Sequence, residues 1–136
     1  VVSMDLSKES EGSKYEQFFQ ELIDGIPGVY AVVVADRDGV PIITVGEVPD
    51  EHDAAVMATA FSVSADQASK LRLGNCKTIV NMFSEYAVVH INHLPIVISL
   101  LGTPECNIGL ALDIADDIKS VLNPLRVKLV ATLDMQ

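Results

Sequence analysis

Three groups of side chains have types and spacings that could do chemistry, and each implies a different reaction class. Asp36 and Asp38, with Glu47 at the twelfth position from Asp36, have the outline of a calcium loop. That loop needs an oxygen ligand at its fifth position and glycine at its sixth, where the chain turns sharply. Here those positions are Val40 and Pro41, and the flanking segments read as strands, so the acids belong to a turn. His90 and His93 could ligate a metal, with His52 further away. On one continuous strand an odd offset puts the two rings on opposite faces, and no third ligand stands at a recognised spacing. All three histidines are read as structural or surface residues. Cys106 sits near a helix start, where a thiol pKa can fall. A nucleophile also needs a base and an oxyanion hole, and no G-x-S-x-G, H-E-x-x-H, phosphate loop or dinucleotide fingerprint accompanies it. The sequence therefore offers no catalytic, metal or cofactor constellation, and the chain is expected to be no enzyme.

The elements that must position these residues can be read from periodicity. Residues 1–12 are polar and acidic and read as a flexible tail, leaving 13–136 as one domain. Ser13 to Glu16 fits a capping box. Behind it Tyr15, Phe18, Phe19, Leu22, Ile23 and Ile26 recur at helical spacing until Gly25 and Pro27 stop the helix. The runs Val29–Asp36 and Val40–Val45 are β-branched, and Asp38-Gly39 between them predicts a hairpin with a type I′ turn. Pro41 must face away from the neighbouring strand, because it has no N–H to give a ladder. Residues 52–70 form a second, alanine-rich helix. Lys77–Phe83, Ala87–Asn92 and Pro95–Leu101 are three further strands. A third helix starts near Asn107, with Ile108, Ala111, Ala115, Ile118 and Leu122 inward, and Asn123-Pro124 ends or bends it. The predicted order is α-β-β-α-β-β-β-α, an α/β fold with a five-stranded, mainly antiparallel sheet.

The totals narrow the function classes. The formal net charge is −10, and the acids crowd the first half. Nucleic acid and anionic membrane surfaces are disfavoured as partners, and Lys70, Arg72 and Lys77 are too sparse to reverse that. The longest apolar stretch, Leu94–Gly102, is too short to cross a bilayer, and no signal peptide or myristoylation motif is visible. Cys76 and Cys106 lack metal spacing and read as reduced thiols, with a disulfide between them still open.

The second helix carries the clearest functional signal. Ala54, Ala58, Phe61, Ala65 and Ala68 form one packing seam, and Val56, Ala60, Val63 and Leu71 form another apolar side. A domain of this size covers one side with its own sheet. For the other the pattern leaves two readings open: a second polypeptide covers it, or this is an ordinary core helix followed by an internal strand. The following strand, if it lies at the sheet edge, can pair with that polypeptide by backbone hydrogen bonds. The expected interface is Ala54, Ala58, Phe61, Ala65 and Ala68 on the helix, with Lys77, Ile79, Asn81 and Phe83 on the strand.

The run Ala31 to Pro41 resembles the first hairpin of the roadblock/dynein light chain family. Ala65 to Leu71, Lys77-Thr78-Ile79, Tyr86 to Val89 and Leu94 to Val97 resemble that family's MAPK scaffold subunits in the same order, so that the likeness spans about residues 15–130. The resemblance implies a profilin-like (roadblock) sandwich. It implies heterodimer formation with a second roadblock-type subunit, second helix to second helix and third strand to third strand. It further implies a Ragulator-like assembly on the cytoplasmic face of late endosomes and lysosomes, recruited through a lipidated partner. That assembly would support Rag GTPase and mTOR nutrient signalling and MEK–ERK signalling. Two rivals are kept open: a GTPase-regulating or motor-adaptor protein of the same fold, and a PAS- or GAF-like ligand sensor. The N-terminal tail is longer than the family pattern, and Pro124 falls where the family keeps a long last helix.

Overall fold

The computed structural model describes the backbone of residues 6–134 and the side chains from residue 12 within that span. Nine elements follow in order: α1 (Leu6–Gly25), β1 (Val29–Asp36), β2 (Pro41–Gly46), α2 (Ala54–Ser69), β3 (Thr78–Met82), β4 (Ala87–His93), β5 (Ile96–Gly102), α3 (Ile108–Asp113) and α4 (Ala115–Asp134). The strands form one antiparallel sheet in the order β2-β1-β5-β4-β3. The expected architecture is present, with the last helix in two pieces.

Alternation along the strands sorts their side chains into two layers. Val32, Val34, Val89, Ile91, Ile98 and Leu100 point to the face covered by α1, α3 and α4, where Phe19, Ile118 and Leu122 complete a core closed to solvent. Ala31, Val33, Ala35, Val88 and Leu101 point to the opposite face, with Ala54 and Met57 of α2 packed against them. The inward stripe of α1 and that of α3–α4 follow the 3.6-residue period read from sequence. Burying a Phe or Leu side chain contributes about 1.5–3 kcal/mol each, so the three-helix face holds most of the apolar stabilisation.

Four local expectations are corrected. α1 begins at Leu6, so Ser13 lies within the helix and is no cap. Of the expected acidic tail, residues 1–5 lie outside the described residues, and 6–12 are helical. The β1–β2 turn is not type I′, because Gly39 has positive φ and Asp38 does not. Gly39 N–H donates to Asp36 O and Asp36 N–H to Val40 O, and the register slips between Val34 and Ala35. This is a three-residue loop with a bulge at a left-handed glycine. Finally, the last helix breaks at Ile114, whose φ and ψ are −93° and 1°, and not at Pro124. Pro124 lies inside α4. It cannot donate to Ser120 O, but both residues are exposed, so water reaches the freed carbonyl.

Candidate partner interface

α2 is placed by its first turn and by the hairpin tip. Asp53 caps it, its Oδ1 accepting from Ala55 N–H at 2.8 Å. Gly39 abuts Ala55 so closely that a Cβ there would overlap the Ala55 backbone. The loop before the helix is tied to β4: Tyr86 Oη donates to Glu51 Oε1 at 3.1 Å, and the Tyr86 and His52 rings stack edge to face. The hydrogen bond to Glu51 raises the Tyr86 pKa.

The alanine seam faces the chain's own sheet. Ala58 and Phe61 are buried, and Ala54, Ala65 and Ala68 are half-buried. Small side chains there let the helix lie close over Ala31 and Ala35 of β1. For Ala58 and Phe61 the chain's own sheet already encloses the side chains expected to meet a partner. The side that looks outward carries Val56, Ala60 and Val63, and Val56 and Val63 are 64% and 55% exposed. Both stripes are apolar, and the bulk of Phe61 was the one sequence signal for which of them is inward.

β3 ends the sheet and pairs only with β4 among the described strands. Ile79 stands opposite His90 and Asn81 opposite Val88, which puts both on the α2 face; Val80, opposite Val89, points to the other core. Ile79 and Asn81 are half-buried. Phe83 is 58% exposed and lies with Val56, Met57 and Tyr86 in a pocket of about 210 Å³ at the start of α2. Met82 is exposed beside it. Lys77 does not join this group: it lines a separate pocket with Asn92, His93, Lys119 and Arg126. The helix-to-strand connection exposes Leu71 and Leu73 and turns through left-handed Arg72 and Gly74. Among the described residues, half of the twelve exposed large apolar side chains fall between Val56 and Phe83.

The candidate chemical groups are each accounted for. Asp36 Oδ1 accepts from the N–H groups of Asp38 and Val40, so this carboxylate holds the turn. Glu47 follows the far end of β2, six residues long, which at about 3.3 Å per residue sets it too far away to share an ion. His90 and His93 do lie on opposite faces, His90 against the Phe61 ring and His93 beside Lys119 and Arg126. Cys76 and Cys106 are free thiols. Burial pushes the Cys106 thiol pKa up, which corrects the suggestion that its helix start lowers it.

One polar pair was not foreseen. His90 Nδ1 and Ser99 Oγ are 3.0 Å apart in register on β4 and β5, both buried beneath α2. A serine–histidine contact invites a nucleophile reading. Both are shut away from solvent, and burial drops the His90 pKa to about 4. The contact gives His90 Nδ1 and Ser99 Oγ a partner inside the thin layer between sheet and helix.

With this geometry in view, a family model described as "Mitogen-activated protein kinase kinase 1 interacting" matches residues 13–129. The chain belongs to this family. Among its curated relatives, the Ragulator complex protein LAMTOR3 homolog of Drosophila melanogaster is 34% identical over 114 residues, covering 82% of this chain and 91% of the relative. Ragulator complex protein LAMTOR3 of Homo sapiens is 32% identical over 113 residues, again 82% and 91%. Among solved structures, the Roadblock/LC7 domain from Streptomyces avermitilis superposes with a TM-score of 0.64 at 16% identity, covering 85% of this chain and 97% of that one. The gliding protein MglB from Thermus thermophilus gives 0.66 at 12% identity, covering 88% and 90%. At such identities these structures establish the fold alone: this member of the family has the roadblock architecture.

Proposed function

We propose that this chain is a non-enzymatic scaffold subunit that pairs with a second roadblock-type polypeptide through the outward side of α2 and the open edge of β3. The observation that carries the reading is the continuity of an exposed apolar helix side, Val56, Ala60 and Val63, with the open edge of β3, which ends in exposed Met82 and is followed by exposed Phe83. Apolar area drives association, and strand-to-strand hydrogen bonds fix its register. A stable pair buries about 1,600 Å² in total, which a 16-residue helix side together with a strand edge is large enough to supply. Ile79 and Asn81 join this surface from the sheet side, and Ala54, Ala65 and Ala68 at the flank of the helix.

The family description and the names of the curated relatives support a place in a Ragulator-type assembly and a link to mitogen-activated protein kinase kinase 1. In that reading the heterodimer supports MEK–ERK signalling and Rag GTPase and mTOR nutrient signalling at late endosomes and lysosomes. Among the described residues no helix is long and apolar enough to cross a membrane. The same reading places the membrane anchor on a lipidated partner subunit. Affinity purification of wild type and Val63→Glu, followed by native mass spectrometry, tests the surface. Wild type is expected to carry one stoichiometric companion chain, and Val63→Glu to lose it while remaining folded. A companion retained at unchanged stoichiometry by Val63→Glu would falsify the assignment of this face.

A further inference from the structure

Nineteen acidic and nine basic residues make this an anionic chain, yet three of the nine cations line one pocket. Lys77, Lys119 and Arg126 meet His93, Asn92 and Leu94 around a cavity of about 450 Å³ where β3 begins and β4 ends against α4, and no carboxylate lines it. Lys119 and Arg126 are seven residues apart on α4, two helical turns, so they share one face. Both are half-buried. Among the described residues neither these two nor Lys77 has an ion-pair partner. Lys77 is exposed, so its charge stands open to an incoming anion.

The pocket is held in shape by hydrogen bonds that leave its cationic ends free. Arg126 Nε donates to Leu94 O at 2.9 Å, which fixes the guanidinium and leaves its two terminal nitrogens unassigned. Asn92 Nδ2 donates to Cys76 O at 2.8 Å, and Asn92 Oδ1 accepts from Leu94 N–H. His93 Nε2 is a shielded ring nitrogen with no hydrogen-bond partner. Burial, then the charges of Arg126 and Lys119, hold the His93 pKa down. The ammonium groups of Lys77 and Lys119 and the terminal nitrogens of Arg126 are the donors left for an anion in the pocket.

The charge pattern also selects the kind of anion. Three cations around a small cavity exceed what a carboxylate needs and suit a compact group carrying two negative charges. An extended polyanion meets the rest of a −10 chain and is repelled, whereas the field of the pocket acts within about one Debye length, ~8 Å at physiological salt. We propose that this pocket is a binding site for a phosphate monoester.

The test is amide and histidine-ring NMR on the full chain, in whichever oligomer it purifies as, titrated with inorganic phosphate at constant ionic strength set by chloride. Saturable shifts confined to Lys77, Asn92–Leu94, Lys119 and Arg126 are expected, with a rise in the His93 pKa as the anion offsets its cationic neighbours. Lys119→Gln and Lys77→Gln, neither of which breaks one of the hydrogen bonds above, each weaken binding by about tenfold. A phosphoserine peptide with its unphosphorylated twin, and glucose 6-phosphate, form two further arms. Tighter binding of the phosphopeptide assigns the group to a protein side chain, and tighter binding of the sugar phosphate to a soluble ligand; either supports the site. Shifts no larger than chloride produces, or unchanged affinity in both lysine variants, overturn it.

Discussion

The two faces of the sheet are built on different terms. One lies under α1, α3 and α4 and is filled with Phe19, Ile118, Leu122 and the Val and Ile side chains of four strands. The other lies under α2 alone, is lined by Ala31, Ala35 and Ala58, and encloses the His90–Ser99 pair. The first face contains the side chains whose burial pays for folding. The second is thin, with its helix apolar on the outside as well. A layer of alanines brings the helix down onto the sheet and leaves the Val56 and Val63 side for a neighbour. Thus the helix of the thin face carries the surface assigned to assembly.

Substitutions should separate the two faces. The largest stability loss is expected on the three-helix side: Leu122→Ala or Ile118→Ala leaves a cavity in a closed core and costs about 2–5 kcal/mol, read by chemical denaturation. Under α2 the sensitivity is to protons. His90 titrates near its ordinary 6.5 when unfolded and at about 4 when folded. Between those values the unfolded chain binds a proton that the folded one does not, so stability falls as the pH falls. The contribution is complete above 6.5 and gone by about 4, on the order of 3 kcal/mol. His90→Gln keeps a partner for Ser99 and should flatten that part of the pH profile; a variant with the wild-type slope would show that His90 is not its source.

Smaller effects sharpen the contrast across α2 itself. Ala58→Leu forces bulk between helix and sheet and should cost about 1–3 kcal/mol through overpacking. Ala58→Asp is expected to damage the fold of this chain, because Ala58 faces inward. One turn further along, on the outward side, Val63→Glu should change the stability of the isolated chain by no more than about 0.5 kcal/mol while abolishing the companion chain in gel filtration. Equal stability losses at positions 58 and 63 would erase the distinction between the two sides of the helix.

Sequence alone determined the features that depend on neighbours in the chain. Asp38-Gly39 gave the hairpin, the inward stripes of α1 and α3–α4 followed helical period, and the helix starts at Asp53 and Asn107 come from side chains that reach their own backbone at Ala55 and Leu110. The odd offset of His90 and His93 was enough to separate them. Other features were decided only when distant segments met. Of the two apolar stripes on α2, only the bulk of Phe61 hints at the inward one until a sheet takes it. His90 finds Ser99 only through the β4–β5 register, and Lys77 reaches Lys119 and Arg126 only because β3 begins beside α4. Periodicity reports that a side chain prefers burial or exposure, whereas the identity of what covers it is a contact between residues far apart in the chain, and no local pattern encodes that.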